Sequence, residues 1–208
     1  MKLYKIVFVA FIILMTGCAS SKITNTWKAP GITAKNYNKV MVVALIRYND
    51  QHLREQMETH LVGDLGDHGY TAISSYKEYG PKAFDGLDEK QVLEKLRNTG
   101  VDAVVTIVLL NKRRERSYSP GRINNSPYVV YSNNFYGYYN TINGRIAKEG
   151  YYQVDTRYFW ESNFYDLSGK ELCYSVQTES FDPLSTESLA HEYGRMIVNS
   201  MAKNGIIK

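Results

Sequence analysis

Cys18 is the residue best placed to do chemistry in this sequence. A cysteine acts as a nucleophile through its thiolate, and small neighbours let it enter a narrow enzyme site. Cys18 is preceded by Leu14-Met15-Thr16-Gly17 and followed by Ala19-Ser20. Upstream, Lys2 and Lys5 form a short positive region, and Ile6 to Met15 is an uninterrupted apolar run of ten residues. At about 1.5 Å rise per residue, a helix of that length covers roughly 15 Å, half of a bilayer's hydrocarbon core. Residues 1–17 therefore read as a secretory signal peptide and not as a transmembrane helix.

Leu14 to Cys18 resembles a bacterial lipobox, in which an aliphatic residue, a small residue and Gly or Ala precede Cys. Met15 stands where Leu is usual. The resemblance implies a diacylglycerol on the Cys18 thiol, cleavage before Cys18, and acylation of the new amine by a chain such as palmitate. Several acyl chains anchor firmly where one would be marginal. The alternative is a plain cleaved signal with an incidental cysteine. In proteobacterial proteins of this kind an Asp after the Cys retains the chain at the inner membrane. Ala19 stands there instead, which implies an outer-membrane anchor with the domain facing the periplasm. The mature chain would have 191 residues, 23 basic against 21 acidic, so bulk charge argues for no partner.

Other candidate groups do not form a catalytic or metal-binding pattern. His191-Glu192 opens like a zinc-protease helix, but Arg195 breaks H-E-x-x-H. His60 and His68 lie eight apart on one expected helix, where a shared metal wants three or four. Gly63, Gly66 and Gly69 follow no strand and match no dinucleotide fingerprint; they read as close helix packing plus a terminal cap. There is no P-loop and no G-x-S-x-G elbow. Cys173 reads as an inert buried thiol. Glu161 and Asp166 could face a cleft or lie on an exposed hairpin. The expectation is a non-enzyme without metal or cofactor.

A segment between the third and fourth expected strands carries the other distinctive chemistry. It opens with Lys112, Arg113, Arg114 and Arg116 and continues with Tyr128, Tyr131, Phe135, Tyr136, Tyr138 and Tyr139 among Asn, Ser and Gly. Ten of the 18 tyrosines fall between Tyr118 and Tyr165. Tyr offers a large contact area at low rotamer cost, and Tyr, Ser, Gly and Asn dominate adaptable binding loops. Such a loop suits a protein, a glycan or a membrane headgroup zone. Equally, the tyrosines could fold back to cover an exposed sheet. Export argues against nucleic acid.

The elements that must position these groups follow from periodicity. The chain has 208 residues, 44% hydrophobic and 13% aromatic, which excludes a disordered chain, a collagen and a coiled coil, and two cysteines exclude a disulfide scaffold. Residues 18–37 read as the lipidated cysteine and a polar tether, with Trp27 packing onto the domain. Val40 to Ile46 reads as a strand buried on both faces. Asn49-Asp50 offers a cap to a helix with Leu53, Met57, Leu61 and Leu65 inward, ending at Gly69. A strand over 70–76 follows, then a helix opened by a capping box at Asp88 and Gln91 that ends at Gly100. Val101 to Leu110 reads as the third strand, and residues 111–150 have no sustained period. Residues 151–166 and 170–181 form a hairpin across Asp166-Leu167-Ser168-Gly169. Ser185 caps a last helix with Leu189, Tyr193, Met196 or Ile197, and Met201 inward. The expected fold is α/β: a βαβαβ unit, an antiparallel hairpin and a C-terminal helix, in a mixed sheet flanked by helices. One domain is expected over 38–208, with the Tyr/Arg-rich insertion at 111–150.

The mature chain resembles a widespread family of uncharacterised bacterial lipoproteins. The resemblance rests on Trp27-Lys28-Ala29-Pro30, Lys39–Val43, the helix Glu55–Gly69, Thr99–Ile107, Tyr136–Tyr139 and Asn163–Ser175. Relatives often carry Trp near Cys173 or Tyr174. The core is more distantly similar to the amino-terminal domain of the Tol-Pal periplasmic protein, to lipoproteins that activate penicillin-binding proteins, and to curli-assembly lipoproteins. These resemblances imply a lipid-anchored envelope module that binds another envelope component, protein or glycan, without catalysis.

Overall fold

The computed structural model describes residues 20–119, 151–169 and 171–208. Strands are β1 (Ser21–Lys28), β2 (Val40–Leu45), β3 (Ala72–Ser74), β4 (Ala103–Ser119), β5 (Tyr151–Asp166) and β6 (Glu171–Phe181). Helices are α1 (Gln51–Asp67), α2 (Ser75–Tyr79), α3 (Glu89–Asn98) and α4 (Thr186–Lys203), with a 3-10 turn at Tyr48–Asp50 before α1. The described residues fall into two units. One is built from the chain up to Lys112 and from Arg157 onward; the other is Arg113–Thr156.

The larger unit holds the expected βαβαβ core. Parallel β2 lies between β3 and β4, and the sheet order is β1-β6-β5-β4-β2-β3. β5 and β6 form the antiparallel hairpin, and β1 adds antiparallel to the outer side of β6. The alternation of side chains along β2 shows why that strand is apolar throughout. Val40, Val42 and Ala44 join the main core with α1 and α4, while Met41 and Val43 join a smaller cluster with Leu96 of α3. The stripe Leu53, Met57, Leu61 and Leu65 of α1 is buried against Leu189, Tyr193, Ile197 and Met201 of α4. Trp160 and Phe164 of β5 complete that core.

Two of the three expected helix caps form; Asp50 precedes α1 without a side-chain cap bond. The Asp88 side chain accepts from Gln91 N at 2.8 Å, and the Gln91 side chain accepts from Asp88 N at 2.9 Å, closing the capping box on α3. Ser185 Oγ accepts from Ser188 N at 3.0 Å and caps α4. Gly69, at φ +84°, ends α1 in a conformation that costs other residues more.

Four features differ from expectation. Ser21–Lys28 is a strand and not free tether, because edge pairing uses the backbone and asks little of the side chains. Only Ser21 is buried there, and Trp27 is 47% exposed and belongs to neither buried cluster. The strand expected over 70–76 is only Ala72–Ser74, since Ser75 turns directly into α2. Neither Gly63 nor Gly66 has a neighbour that a Cβ would meet, so neither serves close packing. The close approach is made by Gly194 of α4, where an added Cβ would meet the Asp64 carboxylate and Leu61 N of α1. Finally, β4 does not end near residue 110 but continues as strand through Arg113, Arg114 and Arg116 to Ser119.

Candidate functional site

A bonded surface corner forms where Ser20 and Ser21 meet the sheet and α4. Ser20 Oγ donates to Glu192 Oε2 at 2.6 Å, and Ser21 N donates to Glu192 Oε1 at 2.8 Å. Phe181 N donates to the Ser20 carbonyl at 2.7 Å, and Ser21 Oγ donates to Ser180 Oγ at 2.8 Å. One carboxylate of α4 and the last residues of β6 thus hold the chain from Ser20 onward. Beside them is a cleft of about 270 Å³ lined by Ser20, Ser21, Lys22, Arg157, Glu179 and Phe181. Glu179 forms ion pairs with Lys22 and Arg157, each at 3.0 Å. Hydrogen bonds from Lys22 and then Arg157 hold the Glu179 carboxyl below the usual range. Cys18, the predicted lipidation site, lies outside the described residues, as does the expected signal peptide over 1–17.

The unit Arg113–Thr156 contains the described part of the Tyr/Arg segment. Asn111 to Tyr118 is exposed residue by residue. Strand alternation sends Arg114, Arg116 and Tyr118 to one side and Arg113 to the other, so the three arginines do not form one cluster. The Arg116 guanidinium carbon sits 4.0 Å from the Tyr152 ring centroid, and the Tyr118 and Tyr152 rings are 5.1 Å apart. Both tyrosines are more than half exposed. This group presents a planar cation and two phenol rings to solvent. Tyr128, Tyr131, Tyr136, Tyr138 and Tyr139 lie outside the described residues.

Groups with possible acid–base chemistry are tied into structure. Glu161 accepts from Asn163 Nδ2 and from Gln177 Nε2, both at 3.1 Å, within the hairpin. Burial alone would raise the Asp166 carboxyl, but bonds from Lys35 and Ser168 outweigh it and hold it low. These bonds brace the β5–β6 turn. Cys173 is buried at the register shift of β6, and burial pushes its thiol up, away from the reactive thiolate. His60 and His191 meet edge to face across α1 and α4 with centroids 5.7 Å apart. Asp64, Asp67, His68, His191 and Arg195 line a neighbouring cleft of about 350 Å³. Among the described residues, no group of three or more His, Cys, Asp or Glu is placed to hold a metal ion.

Sequence reasoning missed Glu58. It is fully buried. Oε1 accepts from Ala44 N at 2.8 Å, Ser75 Oγ at 3.0 Å and Arg54 Nε at 3.4 Å. Oε2 accepts from Ser74 Oγ at 2.6 Å and Tyr76 N at 2.8 Å. With every lone-pair direction used, Glu58 ties β2, β3 and α2 to α1 and has no free acceptor for chemistry. Its signal was its place beside Leu61 and Leu65 on the inward stripe of α1.

No family model matches the chain, and no curated protein matches it. Among solved structures, a PelC dodecamer from Paraburkholderia phytofirmans is similar at 9% identity and a TM-score of 0.47, covering 90% of this chain and 99% of that one. The lipoprotein GNA1162 from Neisseria meningitidis is similar at 13% identity and a TM-score of 0.44, covering 80% of this chain and 99% of that one. A putative neuraminyllactose-binding hemagglutinin homolog from Helicobacter pylori is similar at 10% identity and a TM-score of 0.35, covering 85% and 88%. At these values the likenesses assign neither a family nor a function. Among the described residues, no helix is long and apolar enough to cross a membrane.

Proposed function

We propose that this chain is a lipid-anchored bacterial envelope protein that works by binding another envelope component and not by catalysis. The anchor is Cys18, acylated after signal cleavage, and the favoured location is the outer membrane with the domain facing the periplasm. The observation that supports binding is the exposed group of Arg116, Tyr118 and Tyr152 on the Arg113–Thr156 ribbon. A guanidinium stacked on a phenol ring is held in a defined direction yet keeps its outer N–H donors available. Exposed rings of this kind are typical anchors of protein interfaces. They also suit the faces of sugar rings, which favours a second reading as a glycan-binding lipoprotein.

Affinity capture from detergent-solubilised envelopes tests this, with the lipidated full-length protein as bait. The interaction reading expects a protein partner that is lost with Arg116→Glu and Tyr152→Ala. The glycan reading expects binding to purified peptidoglycan or oligosaccharide that the same substitutions weaken. Capture that neither substitution changes counts against a binding role for the ribbon. The anchor is tested separately by fatty-acid labelling, which Cys18→Ala should abolish while leaving uncleaved or mislocalised precursor.

A further inference from the structure

We infer that the domain does not hang from its anchor on a tether but lies directly against the bilayer, with Phe181 and Leu184 entering the headgroup zone. The inference rests on the lipid-anchor reading of Cys18. Only Ala19 separates Cys18 from Ser20. Two residue steps reach at most about 7 Å. Ser20 is then held by Glu192 and Phe181, and Ser21 by Glu192 and Ser180. That reach is all the chain allows between an acylated Cys18 and the folded domain, so the surface around Ser20 stands within about 7 Å of the level where the acyl chains enter the membrane.

That surface is apolar where it most needs to be. Phe181, whose N–H binds the Ser20 carbonyl, is 43% exposed. Three residues later, Leu184 is 98% exposed, the most exposed large apolar side chain among the described residues. It lies in the short connection from β6 to α4, after Asp182 at φ +40°. In water, Leu184 and part of Phe181 stay exposed on one corner. Against a membrane the same side chains leave water at the headgroup–acyl boundary, adding a protein contact to the covalent anchor. The Arg157 guanidinium lies over the Phe181 ring at 5.0 Å and is paired with Glu179, so the charge beside this apolar corner is already balanced.

The test uses full-length lipidated protein, parent and Leu184→Trp, reconstituted in phosphatidylethanolamine/phosphatidylglycerol vesicles with and without brominated acyl chains. Trp160 is buried, and Trp27 lies at the far end of β1, so the parent supplies the internal reference. Bromine quenches tryptophan only at close range. The expected result is loss of the additional emission of Leu184→Trp in brominated vesicles, with parent emission little changed. Equal fractional quenching of the two proteins overturns the inference. Fatty-acid labelling of the same preparations separates failure of the docking from failure of the anchor. Labelled protein without selective quenching refutes the docking alone, whereas absence of labelling refutes the anchor and the docking together. A change in oligomeric state with Leu184→Asp, without quenching at Leu184→Trp, shows that a second copy covers this corner and also refutes membrane docking.

Discussion

Glu58 illustrates how a buried charge can be a structural tie. A carboxylate removed from water needs its lone pairs filled, and here three side-chain donors and two backbone N–H groups fill them. The two backbone donors belong to Ala44 of β2, past the last β2–β3 pair at Val42, and to Tyr76 in the first turn of α2. Glu58→Gln replaces one acceptor oxygen by an N–H₂ group that faces donors. We expect a loss of about 3 kcal/mol of stability, the range for hydrogen bonds to a buried charged group. Urea unfolding checks this: the midpoint should fall with the slope unchanged. A midpoint equal to the parent's would show that Glu58 is not the tie described. The residue was readable in the sequence as an acid on an apolar helix stripe. Its partners Ser74 and Ser75 were not, because their meeting depends on β3 ending early.

At the scale of elements, the contact between α1 and α4 combines a tight approach with an unsatisfied acid. Gly194 lets α4 come so close that a methyl group there would strike the Asp64 carboxylate. One Asp64 oxygen is buried without a hydrogen-bond partner. Burial raises the Asp64 carboxyl above its ordinary value, and Asp67 adds to this, although His191, His60 and Arg195 pull the other way. A raised folded value means that the folded state binds the proton more tightly than the unfolded chain. Stability from this group is therefore complete below the ordinary carboxyl value and is lost as pH rises through the raised one. Asp64→Asn removes that loss. Thermal unfolding from about pH 3 to about pH 7 should show the variant gaining on the parent as pH rises, and then a constant difference. A difference that does not change with pH would contradict the account. Elements of this kind were unevenly legible. The capping box at Asp88 and Gln91, the cap at Ser185, the β5–β6 hairpin and the inward stripes of α1 and α4 were written in local spacing. β1 was not, because Lys22, Thr24, Asn25 and Thr26 spell an edge strand only once β6 is there to pair with it. The continuation of β4 past residue 110 was hidden for a similar reason: basic residues there carry no alternation of apolar and polar types. Of the candidate site, the motif around Cys18 and the arginines could be named from sequence. The stacking of Arg116 on Tyr152 could not, because the partners are 36 positions apart.

For the whole molecule, removal of the unit Arg113–Thr156 tests whether the Tyr/Arg segment is a working surface or a cover. Both clusters of buried apolar side chains among the described residues draw on the chain before Lys112 and after Arg157, and take nothing from Arg113–Thr156. At the boundary the Lys112 ammonium lies 5.0 Å from the Tyr158 ring centroid, so β4 and β5 are already side by side there. A two-residue Asn-Gly turn can therefore join Lys112 to Arg157, since that sequence favours the tight turn between antiparallel strands. We expect the shortened protein to unfold cooperatively, with a thermal midpoint within about 5 °C of the parent. The described residues of Arg113–Thr156 add to neither buried cluster, so their removal should cost little, and the loss should appear in binding instead. Circular dichroism and calorimetry read the first, and affinity capture reads the second. Should the shortened chain aggregate or melt without cooperativity, the ribbon would be a cover on which the domain depends. The proposal that Arg116, Tyr118 and Tyr152 form a recognition surface would then fail, while the proposed anchor at Cys18 would stand unaffected.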